Sequence, residues 1–229
     1  MLGHAVDIMR LSKVGDMAPD TYLKYRNTIY LWPFIIANLA IFLTLLISKG
    51  LTGSSVNHFW EYVTTKNGII AATIPILTIV LSGVPGDLGK ARLVFWRWHN
   101  PLPGCRAFTE LIYTDPRIDV PALKKKLGKF PRDPQAQNAL WYRFYKERRA
   151  DMKISESHRV YLLTRDMATI AALFVVLFPI DAIAGAVNWK TAVLYGGCLI
   201  AQYLIIASAA RNYGTRFVLN VLSEESQSS

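Results

Sequence analysis

The amino-acid sequence predicts an all-α integral membrane protein, with four transmembrane helices in two hairpins and a helical cytosolic insert between spans two and three. Three observations lead there. Of the 229 residues 52% are hydrophobic, yet the chain carries 26 Lys and Arg against 16 Asp and Glu, a net charge of +10. These two classes segregate along the chain instead of interleaving at the period of a helix or strand. No alternating run long enough for a strand interrupts the pattern.

Residues 30–48, 68–85 and 191–210 hold no charge, and 167–188 holds Asp181 alone. A helix needs about 20 apolar residues to cross a hydrocarbon core about 30 Å thick, whereas helices of soluble domains average about 11. Each run therefore reads as a transmembrane helix. The polar, mixed segment 1–29 is far longer than the basic n-region of a signal peptide, and no small-residue cleavage site follows span one.

Orientation follows from where Lys and Arg fall. Segment 1–29 holds Arg10, Lys13, Lys24 and Arg26, and loop 49–67 only Lys49 and Lys66. The insert 86–166 holds seventeen basic residues against nine acidic ones, the turn after span three only Lys190, and the tail 211–229 Arg211 and Arg216. Both termini and the insert are expected in the cytoplasm of a bacterial-type cell, with 49–67 in the periplasm. Selection for positive charge on the inner side, and attraction to anionic headgroups there, account for the basic composition without invoking nucleic acid.

In loop 49–67, Phe59, Trp60 and Tyr62 suit the membrane interface, and Trp189 suits it in the short second turn. Within the insert, 86–100 mixes Leu93, Phe95, Trp96 and Trp98 with Lys90, Arg92 and Arg97, as in a helix lying along a headgroup layer. The prolines and glycine of "NPLPG" end it. Asp119 is placed to cap a short helix from Val120, with Pro121 in the first turn and Gly128 closing it. Asp133 and Pro134 open a longer helix through "PQAQNALWYRFYKERRA". A last helix is expected to start near Ser155 and run directly into span three. The terminal "SEESQSS" reads as disordered.

Asp181 is the one acid in the spans. At 1.5 Å per residue it lies roughly 21 Å in from the cytosolic end of its helix, near the level of Thr44 and of Tyr195 to Gly197. Such an acid either lines an ion path or makes hydrogen bonds in a packed interface, with Pro179 bending its helix. Gln202 and Asn38 are the other strongly polar groups expected in lipid, read as interhelical contacts. Ala182, Gly185 and Ala186 on span three, and Gly196 and Gly197 on span four, form small-residue faces for close packing within or between subunits. Pro75 implies a kink in span two. In the insert, Arg92, Arg97, Lys124, Lys125, Lys126, Arg143, Lys146, Arg148 and Arg149 are candidates for an anionic partner or lipid headgroups.

No glycine-rich phosphate loop, G-x-S-x-G or HExxH motif is present; Cys105 and Cys198, one expected in the cytosol and one in the membrane, cannot form a disulfide framework, and no Cys/His cluster has zinc-ligand spacing. No catalytic residue, metal or cofactor is expected. The expected function is an oligomeric inner-membrane interaction or effector subunit, whose basic domain engages a cytosolic protein partner or signal and couples it to the spans. By layout alone it is analogous to bacterial defence and toxin effectors. The alternatives are a small channel or transporter using Asp181 and Gln202, or a membrane-anchored nucleic-acid-binding protein; of the partners, lipids and a second copy are favoured over nucleic acid.

Overall fold

The structure is a computed structural model describing residues 19–48, 77, 80–183 and 189–228, and among these every regular element is helical. The helices are α1 (Pro19–Ser48), α2 (Asp87–Phe95), α3 (Val120–Leu127), α4 (Pro134–Arg148), α5 (Met152–Ile183) and α6 (Trp189–Gln227), with 3-10 turns at Pro103–Arg106 and Leu111–Tyr113. Span one falls on α1, where several side chains lie outside the described residues. So do the whole of loop 49–67 and most of span two, including Pro75.

Two helices among the described residues, rather than the four expected, are long and apolar enough to cross a membrane: Met152–Phe178 and Trp189–Gln227. With 32 and 39 residues, α5 and α6 measure about 48 and 58 Å at 1.5 Å per residue. Both exceed the roughly 30 Å of a hydrocarbon core and pair along their length.

Local signals place the helices of the insert. Asp119 accepts a hydrogen bond from the Ala122 backbone N–H at 2.9 Å to start α3, and Gly128 closes it at φ 72°. Asp133 accepts from the Ala136 N–H at 2.8 Å to start α4. α5 begins at Met152, three residues before the expected Ser155, because Asp151 accepts from the N–H groups of Lys153 (2.8 Å) and Ile154 (3.2 Å). Such caps satisfy donors that the first turn leaves without partners.

The tail corrects the expectation of disorder. α6 continues unbroken through Gln227, and Val218, Val221 and Leu222 are completely buried. The polar composition of "SEESQSS" conceals a helical face, since Phe217, Val218, Val221, Leu222 and Glu225 recur at three- and four-residue spacing. The insert covers that face: the Asp119 N–H donates to Ser226 Oγ at 3.1 Å, and Arg117 Nη2 donates to Asn220 Oδ1 at 3.0 Å. Insert and tail are therefore one domain. The segment expected along a headgroup layer also enters it, since Ala91, Val94 and Phe95 of α2 are core residues while Trp96 and Trp98 are exposed.

Two apolar cores result. In the domain, α2 and α4 pack on α5 and α6 through Phe95, Trp141, Phe144, Tyr161, Phe217 and Leu222, among others. Gln137 fixes the preceding loop to α4, its Oε1 accepting from the Phe108 and Thr109 N–H groups at 3.0 and 3.1 Å. In the outer half of the hairpin, Ile35 and Phe42 of α1 meet Phe174 and Phe178 of α5 and Tyr195 and Leu199 of α6. The rings of Phe178 and Tyr195 meet edge-on at 4.6 Å. The remaining apolar surface of α6 faces outward: Leu194 is 71% and Ile205 70% exposed.

Gly214 is where the domain depends on a missing side chain. A Cβ there would lie 2.8 Å from the Tyr161 ring and 2.9 Å from the Phe95 ring. Gly197, by contrast, has nothing within 4 Å of such an atom. Alanine normally improves a helix over glycine by about 1 kcal/mol, but overpacking costs about 1–3 kcal/mol. Gly214→Ala should therefore lower the thermal midpoint of the purified chain in detergent, while Gly197→Ala leaves it unchanged or raises it. A higher midpoint for Gly214→Ala would contradict the close approach.

Candidate functional site at the helix–domain junction

The junction between the domain and the outer hairpin is built on α2, which is held at both ends. Its last turn has carbonyls without intrahelical partners. Trp96 adopts a left-handed conformation (φ 52°) and returns its N–H to the Arg92 carbonyl at 2.9 Å. The Leu93 carbonyl accepts from Tyr203 Oη at 2.7 Å and the Val94 carbonyl from Arg211 Nε at 2.5 Å. Trp96 Nε1 donates to the same Tyr203 oxygen at 2.9 Å, and the Arg211 guanidinium lies 3.6 Å from the centre of the Trp96 ring. A cation at a helix C-terminus also interacts favourably with the helix dipole. Two side chains of α6 thus cap α2.

The start of α2 is tied to α5. Asp87 pairs with Arg165 Nη1 at 3.0 Å, Arg165 reaches Asp166 at 3.3 Å, and Lys90 pairs with Asp166 at 3.0 Å. The Arg165 side chain is only 7% exposed, and a buried guanidinium stripped of its partners is strongly destabilising. The four formal charges cancel. This cluster sits where the apolar run of α5 begins, so it closes the domain at the level where the outer hairpin emerges.

At the far end of the domain, Glu225 is 2% exposed and receives Lys126 Nζ at 2.8 Å and Arg148 Nε at 2.7 Å. Burial pushes its carboxyl up, but the two charge-assisted hydrogen bonds outweigh that and hold it below the ordinary glutamate value. Two residues expected to serve an anionic partner, Lys126 and Arg148, thus hold an internal acid. The others stand at the surface: Arg97, Lys124, Lys125, Arg143 and Arg149 are exposed, Lys146 lies over the Tyr142 ring at 5.0 Å, and Arg92 donates to the Trp98 carbonyl at 3.1 Å.

Among the described residues, Asn38 and Gln202, two of the polar groups expected in the spans, share no hydrogen bond. Asn38 is buried and donates to the Phe34 carbonyl of its own helix at 2.9 Å. Gln202 has a buried Oε1 without a hydrogen-bond partner among the described residues. Asp181 and Ala182 lie on α5, but their side chains are outside the described residues, as are Gly185 and Ala186 altogether. A Cβ added at Gly196 would meet the Phe178 ring at 3.8 Å, an ordinary contact, and one at Gly197 would meet nothing within 4 Å among the described residues.

Several contacts escaped the sequence reading. Buried Asn27 of α1 donates to the Arg159 carbonyl of α5 at 3.0 Å and accepts from Arg159 Nη1 at 3.3 Å. Tyr203 and Arg211, eight residues apart, lie on one face of α6, and that spacing was the available signal. No family model matches the chain, and no curated protein or solved structure matches it.

Glu225 makes the domain acid-sensitive. Its folded carboxyl binds a proton less readily than the unfolded one, so its contribution is present above the ordinary value of 4.5 and is lost as pH falls through the lower folded value. Glu225→Gln should lower stability at neutral pH and flatten that part of the acid limb. An acid limb unchanged in the variant, followed by tyrosine and tryptophan near-ultraviolet circular dichroism, would show that Glu225 does not carry it.

Proposed function

We propose that this chain is a multi-pass inner-membrane effector or interaction subunit. Its basic domain receives a cytosolic signal or protein partner and transmits it to an oligomeric set of membrane helices. One observation carries the reading: α5 and α6 run without a break from the outer apolar hairpin into the core of the basic domain. No flexible linker separates the two cores. A change in how α2 and α4 sit on α5 and α6 therefore shifts the hairpin as well.

Further support comes from the surfaces. The outward apolar face of α6, with Leu194, Ile200 and Ile205, suits lipid or a second copy of the chain, because soluble monomers rarely leave such a face uncovered. The charge distribution supports a cytoplasmic insert, so a reporter active only in the periplasm and fused after Lys126 should stay silent. Activity from that fusion would overturn the orientation.

The coupling has its own measurement. Trp189 is exposed at the outer end of α6, outside the uncharged run 191–210, whereas Cys105 is buried in the domain, so maleimide labelling of Trp189→Cys in a Cys198→Ser background of the reconstituted chain reads the hairpin. Arg211→Ala loosens the clasp on α2 and should change the labelling rate at position 189 several-fold. With two glycines inserted after Asp166 and two after Ala210, the same substitution should no longer be felt. A response that survives the insertions would refute transmission through the helices.

A further inference from the structure

Two tryptophans stand out from the turn that follows α2, Trp96 54% and Trp98 74% exposed. The turn is built to hold them there. Trp96 and Asn100 both adopt left-handed backbone, at φ 52° and 46°, a region that bulky side chains rarely enter. Such strain persists only where the surroundings enforce it. Here the Trp96 N–H returns to the Arg92 carbonyl, Trp96 Nε1 donates to Tyr203 Oη, and Arg92 Nε donates to the Trp98 carbonyl at 3.1 Å. The Arg92 guanidinium also lies 5.4 Å from the centre of the Trp98 ring.

The long helices set the height of this turn. The apolar run of α5 begins after Asp166, and that of α6 ends before Arg211. α2 spans these two points, from the Asp87–Arg165 pair to the carbonyls capped by Tyr203 and Arg211. Both indoles therefore sit where charge gives way to apolar side chain, the level that tryptophan favours in a bilayer. Positive charge gathers at the same level. Arg92 and Arg97 are exposed, and Arg106 is held below the ordinary arginine value first by burial and then by the like charge of Arg97, with Glu110 acting the other way. A cleft of about 520 Å³ opens here, bordered by Leu88, Arg92 and Trp98. Lys124 and Lys125 are placed differently. Their helix meets α6 at Ser226, fifteen residues past Arg211 and so about 22 Å farther along, well beyond a Debye length of about 8 Å at physiological salt.

We infer that the turn at 96–100 is a docking surface for the headgroups of anionic phospholipids. Trp96 and Trp98 enter the headgroup layer, and Arg92 and Arg97 take the lipid phosphates, which the planar fork of guanidinium donors fits. The cleft beside Trp98 gives a headgroup room between an apolar wall and a cation. Of the basic residues at the surface of the domain, those on this turn meet lipid, and those on α3 face away from it. The surface rests on the reading of α5 and α6 as membrane helices; it does not rest on the coupling.

The test uses the full chain in phosphatidylcholine vesicles doped with either brominated phosphatidylglycerol or brominated phosphatidylcholine, whose bromines quench tryptophan on contact. The share of Trp98 is the difference in fluorescence between the wild type and Trp98→Phe, a change at an exposed position. Brominated phosphatidylglycerol should quench that share at least about twofold more strongly than brominated phosphatidylcholine. Arg92→Gln with Arg97→Gln should equalise the two lipids. Arg92→Lys with Arg97→Lys should keep a preference, and Lys124→Gln with Lys125→Gln should leave it unchanged. Equal quenching in the wild type, a preference that survives the glutamine pair at 92 and 97, or one lost in either lysine control would overturn the inference. So would a preference abolished by inorganic phosphate at matched ionic strength, which would assign the arginines to a free anion. Trp189, read in the same way through Trp189→Phe, separates this surface from the membrane reading. Quenching of Trp189 without Trp98 would refute the docking and leave the membrane helices standing, whereas quenching of neither would count against both.

Discussion

Phe217 is the residue on which the arrangement of this chain turns. It sits in the last third of α6 and touches four rings from two other helices: Trp141 and Tyr145 of α4, and His158 and Tyr161 of α5. Aromatic contacts of this kind contribute about 0.5–1.5 kcal/mol each beyond the area they bury. Gly214, one turn earlier, brings the backbone of α6 against Tyr161 and Phe95 so that the cluster can close. The apolar half of the insert has no core without these contributions, and the last residues of the chain have no reason to stay helical without the insert. Each is the other's condition for order.

That mutual dependence changes what the insert is. Read as a segment between two spans, 86–166 looks like a separate domain joined to the membrane helices at two points. In the folded chain the two long helices form its central layer, and the shorter helices are laid over them. α2 is fastened at its start to α5 through Asp87 and Arg165, and at its end to α6 through Tyr203 and Arg211. The polar fastenings lie at the boundary between the aromatic core of the domain and the outer apolar core. There a partly buried charge finds partners and a helix end finds donors.

The basic character divides in the same way. Lys126 and Arg148 neutralise Glu225 inside the fold, and Lys90 and Arg165 are matched by Asp87 and Asp166. What remains at the surface, including Lys124, Lys125, Arg143 and Arg149, is the part that can respond to a headgroup layer or an acidic partner. Net charge alone overstates that surface.

Much of the local structure was legible from the sequence, because its causes act over four residues or fewer. Asp119, Asp133 and Gly128 mark helix ends through hydrogen bonds and backbone preferences that need only their neighbours, and the helix running from the insert into the third apolar stretch followed from an unbroken pattern. The absence of strands among the described residues followed from the same short-range evidence. The tail was misread because burial is not a local property: "SEESQSS" is polar by composition, and only α3 and α4, about a hundred residues earlier, supply the groups that cover Ser226 and hold Glu225. The same reason hid the Asp87–Arg165 pair, the cap of Tyr203 and Arg211 on α2, and the need for glycine at 214. The sequence by itself determined most of the helical segments and the caps at Asp119, Gly128 and Asp133. Which faces of those helices meet, and which charges cancel, was decided by the antiparallel return of α6 along α5, because only that return brings residues distant in sequence within a hydrogen bond of each other.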